Sequence, residues 1–141
     1  MDMLSSTLIN LFDPDWPIRS RSAPLPPHYI GNDASVVHSI VTEGCDIEGS
    51  VENSVLSSSA KVGKGAKVLY SVLMPGAVVE DNAVVEYAIL GENTVVKSGA
   101  HVGAAPDGSE DWGVATCGPN ITIRQGAEVP AGAMIYSSEE V

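Results

Sequence analysis

The sequence predicts an all-β fold, a parallel β-helix of triangular coils, and three observations carry that prediction. Residues 54–70 (SVLSSSAKVGKGAKVLY), 71–87 (SVLMPGAVVEDNAVVEY) and 88–104 (AILGENTVVKSGAHVGA) align without a gap, each 17 residues long. Within each, a small residue stands two positions before an aliphatic one. Those aliphatics fall at Leu56, Val62 and Val68, then Leu73, Val79 and Val85, then Leu90, Val96 and Val102, in steps of six, six and five. Gly, Pro, Asn or Asp separates most of the units, as turns between short strands require.

The geometry follows from strand alternation. Residues two apart point the same way, so the small residue and its aliphatic partner both face inward. Three strands per period give one strand per face, and equivalent residues stack roughly 4.8 Å apart, as in any parallel sheet. An amphipathic helix would need a 3.6-residue period and would not tolerate Gly and Pro recurring between the units. Upstream, Ser39-Ile40-Val41, Cys45-Asp46-Ile47 and Ser50-Val51 make a shorter coil of 15 residues, preceded by Ala34-Ser35-Val36. Downstream, residues 104–120 break the period and read as a projecting loop. The pattern then resumes as Ile121-Thr122-Ile123, Ala127-Glu128-Val129 and Ala133-Met134-Ile135. Periodicity leaves the handedness of the coil open.

Residues 1–30 are different. Their prolines and lack of alternation mark an extended strap rather than a domain. The β-helix is therefore expected over 31–141, with Phe12 and Trp16 of the strap packing on its surface. Apolar content of 44% with only 5% aromatic residues means a core of small and branched side chains. A formal charge of −11, from 7 Lys and Arg against 18 Asp and Glu, speaks against nucleic acid or anionic membrane as partner. Cys45 and Cys117 are far apart and read as reduced thiols of a cytoplasmic protein. The first residues lack a basic start and an adequate apolar run, so no signal peptide is expected there.

The strap segments Met1-Asp2-Met3-Leu4, Leu11-Phe12-Asp13-Pro14-Asp15-Trp16-Pro17-Ile18 and Leu25-Pro26-Pro27-His28-Tyr29-Ile30 resemble the segment joining catalytic domain to β-helix in bacterial ADP-glucose pyrophosphorylases. Ser39-Ile40-Val41-Thr42-Glu43-Gly44-Cys45, Ser54-Val55-Leu56 and Ser71-Val72-Leu73-Met74-Pro75 are similar to that family's first coils. The resemblance implies a left-handed coil and a C-terminal regulatory and oligomerisation role in glucose-1-phosphate adenylyltransferase. Those enzymes make ADP-glucose and pyrophosphate from ATP and glucose 1-phosphate for glycogen synthesis. Their catalytic domain carries a Gly-rich phosphate loop and holds Mg2+. This chain has no such loop between a strand and a helix, so it is expected to be non-catalytic, without a cofactor of its own. Its implied partners are that catalytic domain, other subunits of a homo- or hetero-oligomer, and an anionic small-molecule effector. Where plant-type relatives place two effector-holding lysines, this sequence has Glu92 and Gln125. The rival reading is a free-standing trimeric hexapeptide acyltransferase.

Candidate sites divide into charges and an apolar stripe. Arg19, Arg21, Lys61, Lys64, Lys67 and Arg124 are the candidate effector contacts in an acidic chain. His101 faces outward and reads as a solvated surface residue, although an outward histidine serves as general base in acyltransferases. Cys45 fills a small inward slot like that of Ala60, and Cys117 is placed in the loop with no base beside it. Asp107, Glu110 and Asp111 read as a solvated acidic loop rather than a cation site. The outward middle residues of the first unit in successive coils are Ile40, Val55, Val72 and Ile89. An unbroken branched stripe marks a covered surface, an interface with the strap or another subunit. Val78 and Val95 make a second, shorter patch.

Overall fold

A computed structural model describes residues 13–17, 21, 24–138 and 141. Strands are two or three residues long, because each triangular face is only that wide before a turn residue intervenes. Coil one holds β1 (Tyr29–Ile30), β2 (Ser35–Val37) and β3 (Ile40–Val41). Coil two holds β4 (Asp46–Ile47), β5 (Ser50–Glu52) and β6 (Val55–Leu56), and coil three β7 (Lys61–Val62), β8 (Lys67–Leu69) and β9 (Val72–Leu73). Coil four holds β10 (Val78–Val79), β11 (Val84–Glu86) and β12 (Ala88–Leu90), and coil five β13 (Val95–Val96), β14 (His101–Val102) and β15 (Ala115–Cys117). Coil six closes the prism with β16 (Thr122–Ile123), β17 (Glu128–Val129) and β18 (Met134–Ile135). Every third strand pairs in parallel, giving three six-stranded sheets. Face one contains β1 and β4, face two β2 and β5, face three β3 and β6, and so on upward.

The core is the inward register that the 17-residue repeat predicts. Val62, Val79 and Val96 stack on face one, Val68, Val85 and Val102 on face two, and Leu56, Leu73 and Leu90 on face three. All nine are buried, each contributing about 1.5–3 kcal/mol of apolar burial, most of it opposed by chain entropy. Cys45 lies in the slot equivalent to Ala60, and both are buried.

The corner between faces two and three carries a second ordering device. His38, Asn53, Tyr70 and Tyr87 occupy it in successive coils, all with φ between 45° and 47°. That left-handed conformation costs a non-glycine residue about 1–2 kcal/mol. A buried serine follows two of these residues, Asn53 and Tyr70. The Ser54 hydroxyl donates to the Glu52 carbonyl at 2.7 Å and accepts the Ser71 N–H at 3.1 Å. Ser71 repeats the arrangement with Leu69 and Ala88 at the same two distances.

The structure corrects three expectations. Tyr29–Ile30 is not strap but the first strand, in register with Asp46 and Ile47. The projecting loop ends before residue 115, not at 120. Ala115-Thr116-Cys117 is a strand paired to β12 and β18, and Cys117 points inward, stacked between Leu90 and Ile135. It escaped the pattern because a cysteine takes the aliphatic place. Third, Trp16 does not pack on the β-helix but is 67% exposed; Phe12 lies outside the described residues. The strap instead docks at a corner, where the Pro26 carbonyl accepts the Gly44 N–H at 2.8 Å and Leu25 lies against Gly44.

Candidate functional site

The three faces differ in chemistry because their outward columns differ in sequence. On face one the column runs Tyr29, Asp46, Lys61, Val78, Val95, Thr122. On face two it runs Ser35, Ser50, Lys67, Val84, His101, Glu128. Face three carries Ile40, Val55, Val72, Ile89, Thr116 and Met134, without a single charge. The four residues of the expected stripe therefore stand in one column, as alternation requires. Ile40, Val55 and Val72 are half-buried, Ile89 is 39% exposed and Met134 is 62% exposed. Val78 and Val95 are likewise neighbours on face one.

Among the described residues the candidate cations do not converge on one site. Lys61 and Lys67 point from different faces, with Lys64 at the corner between them. Lys64 lies 3.4 Å from Glu48, and Lys61 is in register with Asp46. An open groove of about 500 Å³ on this side is lined by Asp46, Glu48, Glu80 and Asp81 as well as Lys61 and Lys64, so carboxylates outnumber ammonium groups there. Arg124 follows β16 as Lys97 follows β13, so the two occupy the same corner one coil apart. Lys97 is 2.7 Å from Glu80, and that hydrogen bond holds the Glu80 carboxyl below the usual carboxylate range. Arg21 is exposed, and Arg19 lies outside the described residues.

His101 is half-buried, and its Nε2 is paired with the Glu86 carboxylate at 2.7 Å. Its partner Glu86 was not legible as such, since strand register had to bring the two together. Both cysteines are buried, and burial pushes the Cys45 thiol up and the Cys117 thiol up to about 11, which disfavours the thiolate of each. Asp107 accepts the Ser109 N–H at 2.9 Å, and its carboxyl is lowered by hydrogen bonding to Ser109. Among the described residues no group of three or more His, Cys, Asp or Glu stands close enough to hold a metal, and no helix is long and apolar enough to cross a membrane.

One feature went unread in the sequence: an aromatic ladder at the corner of faces two and three. The rings of Tyr70 and Tyr87 stack with centroids 4.8 Å apart, and Trp112 meets Tyr87 edge-on at 5.6 Å. The Trp112 indole N–H donates to the Ala104 carbonyl at 2.9 Å, closing the loop on itself. The signal was present, since Tyr70 and Tyr87 end two consecutive 17-residue repeats.

The chain is 47% identical over 76 residues to the glucose-1-phosphate adenylyltransferase of Clostridioides difficile (strain 630), covering 53% of this chain and 20% of that protein. It is 45% identical over 100 residues to the enzyme of that name in Bacillus thuringiensis (strain Al Hakam), covering 70% of this chain and 27% of that one. The chain thus spans about a quarter of the length of these curated relatives, and the match falls in their C-terminal part. A hexapeptide transferase family protein from Anaplasma phagocytophilum gives a TM-score of 0.27 at 16% identity, covering 76% of this chain and 72% of that one, too little to argue from. Residues 26–118 match the family described as GlmU-like, C-terminal hexapeptide, and with six coils stacked in three parallel sheets, the chain belongs to that family.

Proposed function

We propose that this chain is the β-helical, non-catalytic part of a cytoplasmic glucose-1-phosphate adenylyltransferase, where it joins subunits and conveys effector binding to the catalytic part. The observation that carries the reading is the identity of 45–47%, confined to about a quarter of each relative. On this reading ATP, glucose 1-phosphate and Mg2+ belong to the catalytic part, and face three is the surface that meets it or another subunit. An uncharged column on a chain of formal charge −11 supports an interface, because a desolvated contact disfavours unpaired charge. Among the candidate cations, Arg124 is the effector contact this reading favours, since Lys61, Lys64 and Lys67 are spread over two faces.

The test is direct. The purified chain, given ATP, glucose 1-phosphate and Mg2+, should release no pyrophosphate above a blank; turnover would overturn the non-catalytic reading. Acyl transfer from acetyl-CoA that disappears in His101→Ala would instead establish the rival acyltransferase.

A further inference from the structure

Coil two is shorter than its neighbours, and the shortage falls at one corner. Between faces one and two, only Glu48 and Gly49 join Ile47 to Ser50, whereas residues 31–34 in coil one and 63–66 in coil three span the same corner. Gly49 permits the short cut. A Cβ there would lie 2.5 Å from the Ala66 carbonyl oxygen and 2.6 Å from that of Gly63.

In later coils this corner carries its own hydrogen-bond ladder. The Asn82 N–H donates to the Lys64 carbonyl at 2.9 Å, Gly99 to Asp81 at 3.3 Å, and Gly126 to Ser98 at 3.3 Å. The rung that coil two should supply is missing. Among the described residues the Gly65 N–H has no acceptor, and on the opposite wall the Asn32 carbonyl has no donor. Between them lies a cavity of about 540 Å³, lined by Tyr29, Asn32, Asp33, Glu48, Ser50 and Lys64 with the corner glycines. Coils one and three form its two sides, roughly 9.6 Å apart by coil spacing, and Glu48, Gly49 and Ser50 of coil two line it between them.

The lining decides what fits. Asp33 and Glu48 oppose one Lys64, which is already 3.4 Å from Glu48, so an added phosphate would meet more negative charge than positive. A neutral ligand carrying hydroxyls, each both donor and acceptor, meets no such penalty. Tyr29, 56% exposed at the rim, offers an apolar ring face.

We propose that this notch binds a single neutral sugar ring in place of the missing corner. One hydroxyl accepts the Gly65 N–H, another donates to the Asn32 carbonyl, a third donates to the Asp33 carboxylate, and the ring packs on Tyr29.

The experiment is amide-resolved NMR of the 15N-labelled chain titrated with D-glucose to tens of millimolar, with inorganic phosphate as a parallel probe. Glucose should shift the Gly65, Asp33 and Ser50 amides saturably. Asp33→Ala should weaken binding about ten-fold, the scale of one charge-assisted hydrogen bond. Inserting Lys-Gly after Glu48, which restores the full corner, should abolish the shifts while the core amides of Leu73 and Val79 stay in place. No saturable shift, shifts confined to other surfaces, or a stronger response to phosphate than to glucose would each overturn the proposal.

Discussion

Coils three and four keep the 17-residue step on every face, whereas coils two and five depart from it in opposite directions. Asp46 and Lys61, in register on face one, are 15 residues apart, while Val95 and Thr122 are 27 apart. In neither case does a strand change. The deletion falls between Ile47 and Ser50, and the insertion between Val102 and Ala115, both at corners. Such a solenoid varies at its corners and not in its strands. A strand residue is held by inward stacking and by ladder bonds to the coils above and below, so a one-residue slip would turn apolar side chains outward. A corner is held by fewer bonds and faces solvent, so it can lose two residues or gain a loop. The two departures leave different marks: a notch where the corner is short, and an aromatic clasp through Trp112 where it is long.

The regular core is the most sensitive part of the molecule. Val79→Asp places a carboxylate between Val62 and Val96, with no partner, at a cost of several kcal/mol. The far-UV spectrum and melting temperature should report unfolding, and an unchanged melt would refute the inward register. Next in size is Ser71→Ala. It removes the acceptor of the buried Ala88 N–H and should cost about 1–3 kcal/mol in urea denaturation, with no change in the slope. Ser57→Ala, at a half-buried corner position, should be nearly neutral, and equal costs would dissolve the serine ladder.

Gly49→Ala tests the short corner. Its Cβ meets backbone that cannot swing aside, so about 1–3 kcal/mol is expected. The pH dependence of the irregular coil rests on Cys117. Its pKa is raised from 9.0 to about 11 by burial, so the unfolded thiol ionises first. Stability is fully present below pH 9 and falls as pH rises from 9 toward 11; Cys117→Val should flatten that slope. The smallest effect belongs to Trp112→Ala. Loss of the ring contact should cost about 0.5–1.5 kcal/mol, and limited proteolysis should then cut residues 104–114 sooner while the coils stay intact. Unaltered cleavage would mean the clasp holds nothing.

The two ends of the prism also differ, and only one is closed by the described chain. At the far end the Ser138 hydroxyl accepts the Thr122 N–H at 2.8 Å, and Val141 packs against the core. At the near end Ile30, inward by register with Ile47, is still 43% exposed. Nothing in the repeat distinguishes an end from a middle, because a periodic pattern carries no information about where stacking stops.

Much of the fold was legible because a strand's alternation is local. Each small residue announces an inward aliphatic two positions later, so the nine core positions and the column Ile40, Val55, Val72, Ile89 followed from spacing. Cys117 was misplaced because the insertion shifts the phase before it and its side chain is not aliphatic. The candidate cations were less legible. Lys61, Lys64 and Lys67 are close in sequence, but a corner intervenes and turns their side chains onto two faces.

By itself the sequence determined the number of strands per turn, the inward register and the uncharged third face, since these depend on period and side-chain chemistry alone. Tertiary structure decided what stands across each gap. It paired His101 with Glu86 and stacked Tyr70 on Tyr87, fifteen and seventeen residues apart in the chain. It also opened the notch beside Gly49, where a short corner leaves its neighbours' N–H and C=O without a rung. Such contacts run between coils, along a direction in which the chain has no local order to read.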